Sequence, residues 1–168
     1  LFVALCNNKE FNALDFSHLK HTISGGMALT EAAASTWQNV TGCQIQEAYG
    51  LTETSPAVSF NPYRDIRIGT IGKVVTGTQV KVISEDGTDL GFDQEGELCV
   101  KGPQVMAGYW QRPEATAQVL DADGWFKTGD VAILAEDGFI RLVDRIKDMI
   151  NVSGFNVYPN EIDDIASQ

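Results

Sequence analysis

The spacing of hydrophobic positions changes twice along this chain. Residues 1–62 mix helical and strand-like spacing. Residues 19–24 predict a short strand that ends at Gly25-Gly26. Residues 30–41 predict a helix, with Ala33, Trp37 and Val40 on one face, Thr30 as the N-cap and Gly42 in the left-handed position that follows a helix. Residues 43–49 predict a second strand. Strand, helix, strand implies a parallel βαβ unit.

Beyond residue 62 the period shortens. Alternating segments at 79–84, 97–101, 130–134 and 139–143 are punctuated by Asp86-Gly87, Asp123-Gly124 and Asp137-Gly138. Asp-Gly tolerates the positive φ angles of tight hairpins, so this stretch predicts antiparallel structure. One helix interrupts it, with Pro113 at its first position and Glu114 beside the positive end of its dipole. A third region opens near Asp144. It predicts a strand over 148–152 and then a helix beginning at Pro159 with Glu161 in its first turn. The expected division is 1–62, 63–143 and 144–168, and the expected class is mixed α/β.

Composition narrows the functions available. Across 168 residues, 43% hydrophobic and 21% charged positions exclude wholesale disorder. A net charge of −11 disfavours nucleic acid and anionic membrane surfaces as general partners, since both are polyanions, while allowing a local cationic pocket. Cys6, Cys43 and Cys99 are far apart and show no metal-ligand spacing, so they read as reduced, buried thiols in a reducing compartment. No apolar run approaches the ~18 residues of a membrane span, and there is no signal peptide or lipidation motif. The chain begins at Leu1 and stops just inside a predicted helix, so both ends are expected to be internal to a longer protein. The acidic cluster from Glu85 to Glu97 reads as a solvated hairpin edge.

Four local patterns carry candidate chemistry. Tyr49-Gly50-Leu51-Thr52-Glu53 follows a strand and offers an aromatic for a base, a glycine for close approach, a hydroxyl for a phosphate oxygen and a carboxylate for Mg2+. Ser24-Gly25-Gly26-Met27 sits at a strand-to-helix turn where a ligand can reach backbone amides. In Trp125-Phe126-Lys127-Thr128-Gly129-Asp130, the carboxylate can accept both hydroxyls of a ribose. Asp144-Arg145-Ile146-Lys147-Asp148 is a dense charge alternation, suited to a hinge whose residues exchange partners. Taken singly, no pattern decides for a ligand over its ligand-free alternative: a polar turn, a tight βα turn, a turn acid bonded to its own backbone, or a solvated salt-bridge cluster.

Their order and spacing resemble the adenylate-forming superfamily of acyl-CoA synthetases, luciferases and peptide-synthetase adenylation domains. The series also includes Gly96-Glu97-Leu98. Gly102-Pro103-Gln104-Val105-Met106, Gly108-Tyr109-Trp110-Gln111-Arg112-Pro113-Glu114-Ala115-Thr116 and Gly154-Phe155-Asn156-Val157-Tyr158-Pro159-Asn160-Glu161 bring the resemblance nearest to bacterial long-chain fatty-acid–CoA ligases. It runs from end to end of the chain.

The resemblance implies the end of a βαβ nucleotide-binding subdomain, then an antiparallel β-rich subdomain, then a short stub of a C-terminal cap domain. It implies an acid–thiol ligase acting on a fatty acid, ATP and coenzyme A with Mg2+, through an acyl-adenylate. Tyr49 would stack on adenine, and Gly25 and Gly26 would line the base and acyl pocket. Thr52 would bond phosphate, Glu53 would hold Mg2+, and Asp130 would grip the ribose with Arg145 assisting. Lys147 would be the hinge and Gly154 would lie along the coenzyme A tunnel. The family's phosphate loop and catalytic lysine have no counterpart here, so the chain alone is expected to be inactive and to self-associate through uncovered strand edges. A cytoplasmic location is expected, with peripheral association of the parent at the inner membrane. Two alternatives stay open: another adenylate-forming enzyme, such as a fatty-acyl-AMP ligase or a shorter-chain acyl-CoA synthetase, and a non-catalytic β-rich binding module.

Overall fold

The computed structural model of the chain describes residues 1–152, 155–157 and 159. Two short helices open it, α1 (Phe2–Cys6) and α2 (Lys9–Asn12). The apolar run at the start of the chain is therefore helical. Then come β1 (Thr22–Gly25), α3 (Glu31–Thr41) and β2 (Ile45–Gly50). β1 and β2 pair in parallel, as the βαβ reading requires. Thr30 caps α3 by accepting from the Ala33 N–H at 3.3 Å, and Gly42 takes the left-handed position at its end.

The fully buried residues of α3 are Ala34, Trp37 and Thr41; of the predicted face Ala33, Trp37 and Val40, Trp37 is buried and half-buried Val40 packs on the same cluster. Trp37 packs with Cys6 and Ile45, and Phe2 and Phe11 pack against them. The indole N–H is satisfied by Thr22 Oγ1 at 3.1 Å, which ties α3 to β1.

The first sheet continues past β2 into two strands that the spacing does not announce, β3 (Ala57–Phe60) and β4 (Lys73–Val74). Its order is β1-β2-β3-β4, antiparallel after the first pair. A second sheet is an antiparallel meander of β5 (Gln79–Ile83), β6 (Glu95–Lys101), β7 (Phe126–Leu134) and β8 (Ile140–Arg145). Helix α4 (Pro113–Val119) lies in the β6–β7 connection. A two-stranded ribbon, β9 (Ile150–Val152) with β10 (Phe155–Val157), follows.

Asp86-Gly87 turns β5 back toward β6, and Asp137-Gly138 joins β7 to β8. Asp123-Gly124 does not join two strands. It lies in the turn that delivers α4 into β7, where Asp121 Oδ1 accepts from the N–H groups of Asp123 and Trp125. The predicted helix after Pro159 lies almost wholly outside the described residues.

The two sheets share a core. Val58 from β3 and Ile71 pack with Leu98 and Val100 from β6, Ala132 from β7 and Ile140 from β8. Backbone bonds stitch the contact, from Ile71 N–H to Ile140 O at 2.9 Å and from Ile140 N–H to Gly72 O at 3.0 Å. That junction brings the end of β2 to face the bulged middle of β7.

Candidate nucleotide site

Asp130 lies on β7 beside a built irregularity. The β6–β7 register shifts between Glu97 and Cys99, and Glu97 Oε1 accepts from the Gly129 N–H at 3.1 Å. Thr128 Oγ1 donates to Leu98 O at 2.8 Å and accepts from the Asp130 N–H at 3.1 Å. A bulge of this kind re-aims the side chains beside it. Glu97 is thus half-buried, unlike the rest of the acidic cluster from Glu85 onward.

Asp130 is turned inward and only 6% exposed. Tyr49, from the end of β2, donates its hydroxyl to Asp130 Oδ2 at 2.5 Å. Arg145 is the direct cross-strand partner of Asp130 on β8, with its Nε 3.4 Å from Oδ1. Burial raises the Asp130 pKa, opposed by the Tyr49 bond and by the charges of Arg145 and Lys147. Burial, and then the Asp130 charge, push the Tyr49 phenol far above its ordinary range, so it stays a donor. Three of the sequence motifs therefore meet at one carboxylate, and Lys147, itself exposed, acts on it through its charge.

Gly25 ends the neighbouring strand β1, and Gly26 follows it. A Cβ at Gly25 would press on the Ala48 carbonyl at 3.1 Å, so the strand end stays bare against β2. Gly26 adopts φ +83°, a conformation that glycine tolerates at no steric cost. Gly50 approaches the Pro56 carbonyl so closely that any Cβ would overlap it.

Thr52 and Glu53 occupy a single 3-10 turn after β2, closed by Thr54, whose hydroxyl accepts from the Leu51 N–H at 3.0 Å. Thr52 is exposed and Glu53 half-buried. Glu53 Oε1 accepts from the Tyr109 hydroxyl at 2.8 Å. Among the described residues no group of three or more His, Cys, Asp or Glu side chains gathers to cage a metal. A lone carboxylate suits Mg2+, which dehydrates reluctantly and is held by one or two carboxylates together with substrate phosphates. Gly154 lies outside the described residues.

Two residues escaped the motif reading. Glu47, on β2, is 8% exposed and accepts from the Gly69 N–H at 2.9 Å. Burial pushes its carboxyl up to about 7. The signal was present as an acid amid the inward positions of a strand. Tyr109 lies within the 108–116 motif, where nothing local says where its hydroxyl goes.

The sequence profile described as AMP-binding enzyme matches residues 1–110. The chain belongs to the AMP-binding enzyme family. Its relatives include the long-chain-fatty-acid–CoA ligase of Salmonella typhimurium, 54% identical over 169 residues, covering 100% of this chain and 30% of that protein. The luciferin 4-monooxygenase of Photinus pyralis is 40% identical, covering 100% of this chain and 31% of its own length. Among solved structures, ATP-bound MatB from Rhodopseudomonas palustris superposes with a TM-score of 0.87 at 34% identity, covering 96% of this chain and 32% of that one. The chain thus spans about a third of the length of the proteins it matches. As an AMP-binding enzyme it presents a mixed α/β fold of two main sheets, the second antiparallel. No helix among the described residues is long and apolar enough to cross a membrane.

Proposed function

We propose that these residues form the nucleotide-gripping part of an ATP-dependent long-chain fatty-acid–CoA ligase. One observation carries the reading: Tyr49 and Arg145, from two separate motifs, converge on the buried Asp130 carboxylate of a third. The 54% identity to a long-chain-fatty-acid–CoA ligase over the whole chain supports the choice of substrate class.

In the first step a fatty carboxylate oxygen bonds to the α-phosphorus of ATP and pyrophosphate leaves. In the second the coenzyme A sulfur bonds to the acyl carbon, the thiol proton is released and AMP leaves. The obstacle in the first step is bringing one anion onto another, so binding must align them and fixed donors must offset their charge. Here the Tyr49 ring stacks on adenine while its hydroxyl holds Asp130, and Asp130 accepts the ribose hydroxyls with Arg145 beside it. Thr52 donates to a phosphate oxygen, and the bare backbone at Gly25 and Gly26 admits the base and the acyl chain. Glu53 holds Mg2+, which when bound neutralises phosphate charge.

The same reading divides the chain at 1–62, 63–143 and 144–168, with Lys147 as the hinge of a cap domain. Gly154 along a coenzyme A tunnel rests on its motif alone. Substrates of this kind, with three buried free cysteines, favour the cytoplasm, with peripheral contact to the inner membrane for fatty-acid supply.

The full-length protein is tested by pyrophosphate exchange into ATP. Exchange that requires both a long-chain fatty acid and Mg2+, followed by thioester formation when coenzyme A is added, is the expected result. No exchange with any fatty acid overturns the reading. Exchange without thioester formation moves the protein to the other adenylate-forming activities, a direction that the 40% identity to a luciferin 4-monooxygenase keeps relevant.

A further inference from the structure

Residues 108–116 tie themselves into a knot. Gly108 sits at φ +147°, where a Cβ would press on the Thr116 methyl at 2.8 Å. The Tyr109 N–H donates to Thr116 Oγ1 at 2.9 Å, and that hydroxyl donates in turn to Arg112 O at 2.9 Å. The Arg112 N–H closes back on Tyr109 O at 3.1 Å, and Gln111 takes a positive φ of 53° to allow it. The knot buries little: Trp110 is 87% exposed and Tyr109 38%. Its effect is directional.

Tyr109 donates to Glu53 Oε1 at 2.8 Å, and the Met106 N–H donates to Glu53 O at 2.7 Å. The segment thus grips Glu53 twice, once through its backbone and once through its carboxylate. No other partner of Oε1, and none of Oε2, is found among the described residues.

We propose that Tyr109 is a positioning residue for Glu53: its hydroxyl occupies Oε1, fixes the carboxylate and leaves Oε2 as the oxygen offered to Mg2+. This rests on the reading that Glu53 holds the metal. The physical need is plain. Mg2+ demands near-ideal geometry, and a half-buried carboxylate can still rotate unless a partner holds it. If the contact were only a strut, losing the hydroxyl would lower stability and leave metal dependence untouched.

The test is ATP binding by the full-length enzyme, followed by calorimetry across a Mg2+ series without fatty acid or coenzyme A. Tyr109→Phe is expected to raise the half-maximal Mg2+ concentration about tenfold, the scale of a lost outer-shell partner, with binding in EDTA unchanged. Thr116→Val, which cuts the tether to the Tyr109 backbone, is expected to move it the same way. Glu53→Gln should abolish the Mg2+ dependence, and adding Tyr109→Phe to it should then change nothing. An unchanged or lowered Mg2+ midpoint in Tyr109→Phe, with Glu53→Gln still abolishing the dependence, overturns the positioning role alone. A Glu53→Gln enzyme with the wild-type midpoint overturns the Glu53 reading, and the proposal falls with it.

Discussion

The Tyr49 hydroxyl and the Asp130 carboxylate are 2.5 Å apart, joined across 81 residues of sequence. The bond links the first sheet to the second and couples an aromatic ring to the acid proposed for the ribose. Binding and folding therefore draw on the same contact.

Tyr49→Phe keeps the ring and removes the donor. Asp130 stays buried with Arg145 as its remaining close cation, at 3.4 Å. A buried charged acceptor that loses a partner costs roughly 1–3 kcal/mol. Urea unfolding should show that loss, and fluorescence titration should show ATP affinity falling several-fold. Unchanged stability would mean that the contact contributes nothing in solution.

Asp130→Ala removes the acceptor itself. Two charge-assisted bonds to a ribose, at about 1.5 kcal/mol each, predict a loss in ATP affinity of about 100-fold. Steady-state kinetics of the full-length enzyme over a range of ATP concentrations would register it. Wild-type dependence on ATP would remove Asp130 from the site.

Glu47 gives a pH signature. Its folded pKa is raised from the ordinary 4.5 to about 7 by burial. The folded state therefore holds this proton more tightly than the unfolded chain does. The stability linked to it is fully present below pH ~4.5 and is lost as pH rises through about 7. Glu47→Gln keeps an acceptor for Gly69 and cannot ionise. The difference in Tm, variant minus wild type, should grow as pH rises from 4.5 to 7 and then level off. A difference independent of pH would show that Glu47 is ionised in the fold.

Strand β1 pairs with β2 on one side only, and its other edge has no partner among the described residues. Ile23 on that strand is 65% exposed and Met27 just beyond it is 87% exposed. Open edges template pairing with other chains. The 168-residue chain should show a mass above 18.3 kDa by light scattering at high concentration, and Ile23→Lys should reduce it. A clean monomer would count against this.

The elements with local causes were legible in the chain. The cap at Thr30, the turn at Gly42, Pro113 at the start of α4 and the alternation of β5 to β8 each depend on neighbours within a few residues. The partner of the Trp37 N–H was not, because Thr22 lies on another element. Nor were β3 and β4, since strands of four and two residues carry too little alternation to register.

The sequence by itself determined the family, the motifs and the residue types each motif supplies, because those are properties of order and spacing. Only the tertiary structure decided who meets whom. Asp130 faces Arg145 because a bulge shifts the strand register, Tyr49 reaches Asp130 because two sheets share a core, and Tyr109 reaches Glu53 because a knot of backbone bonds aims it. Register, partner and aim are set by burial and hydrogen bonding between distant segments, and nothing in a local pattern encodes them.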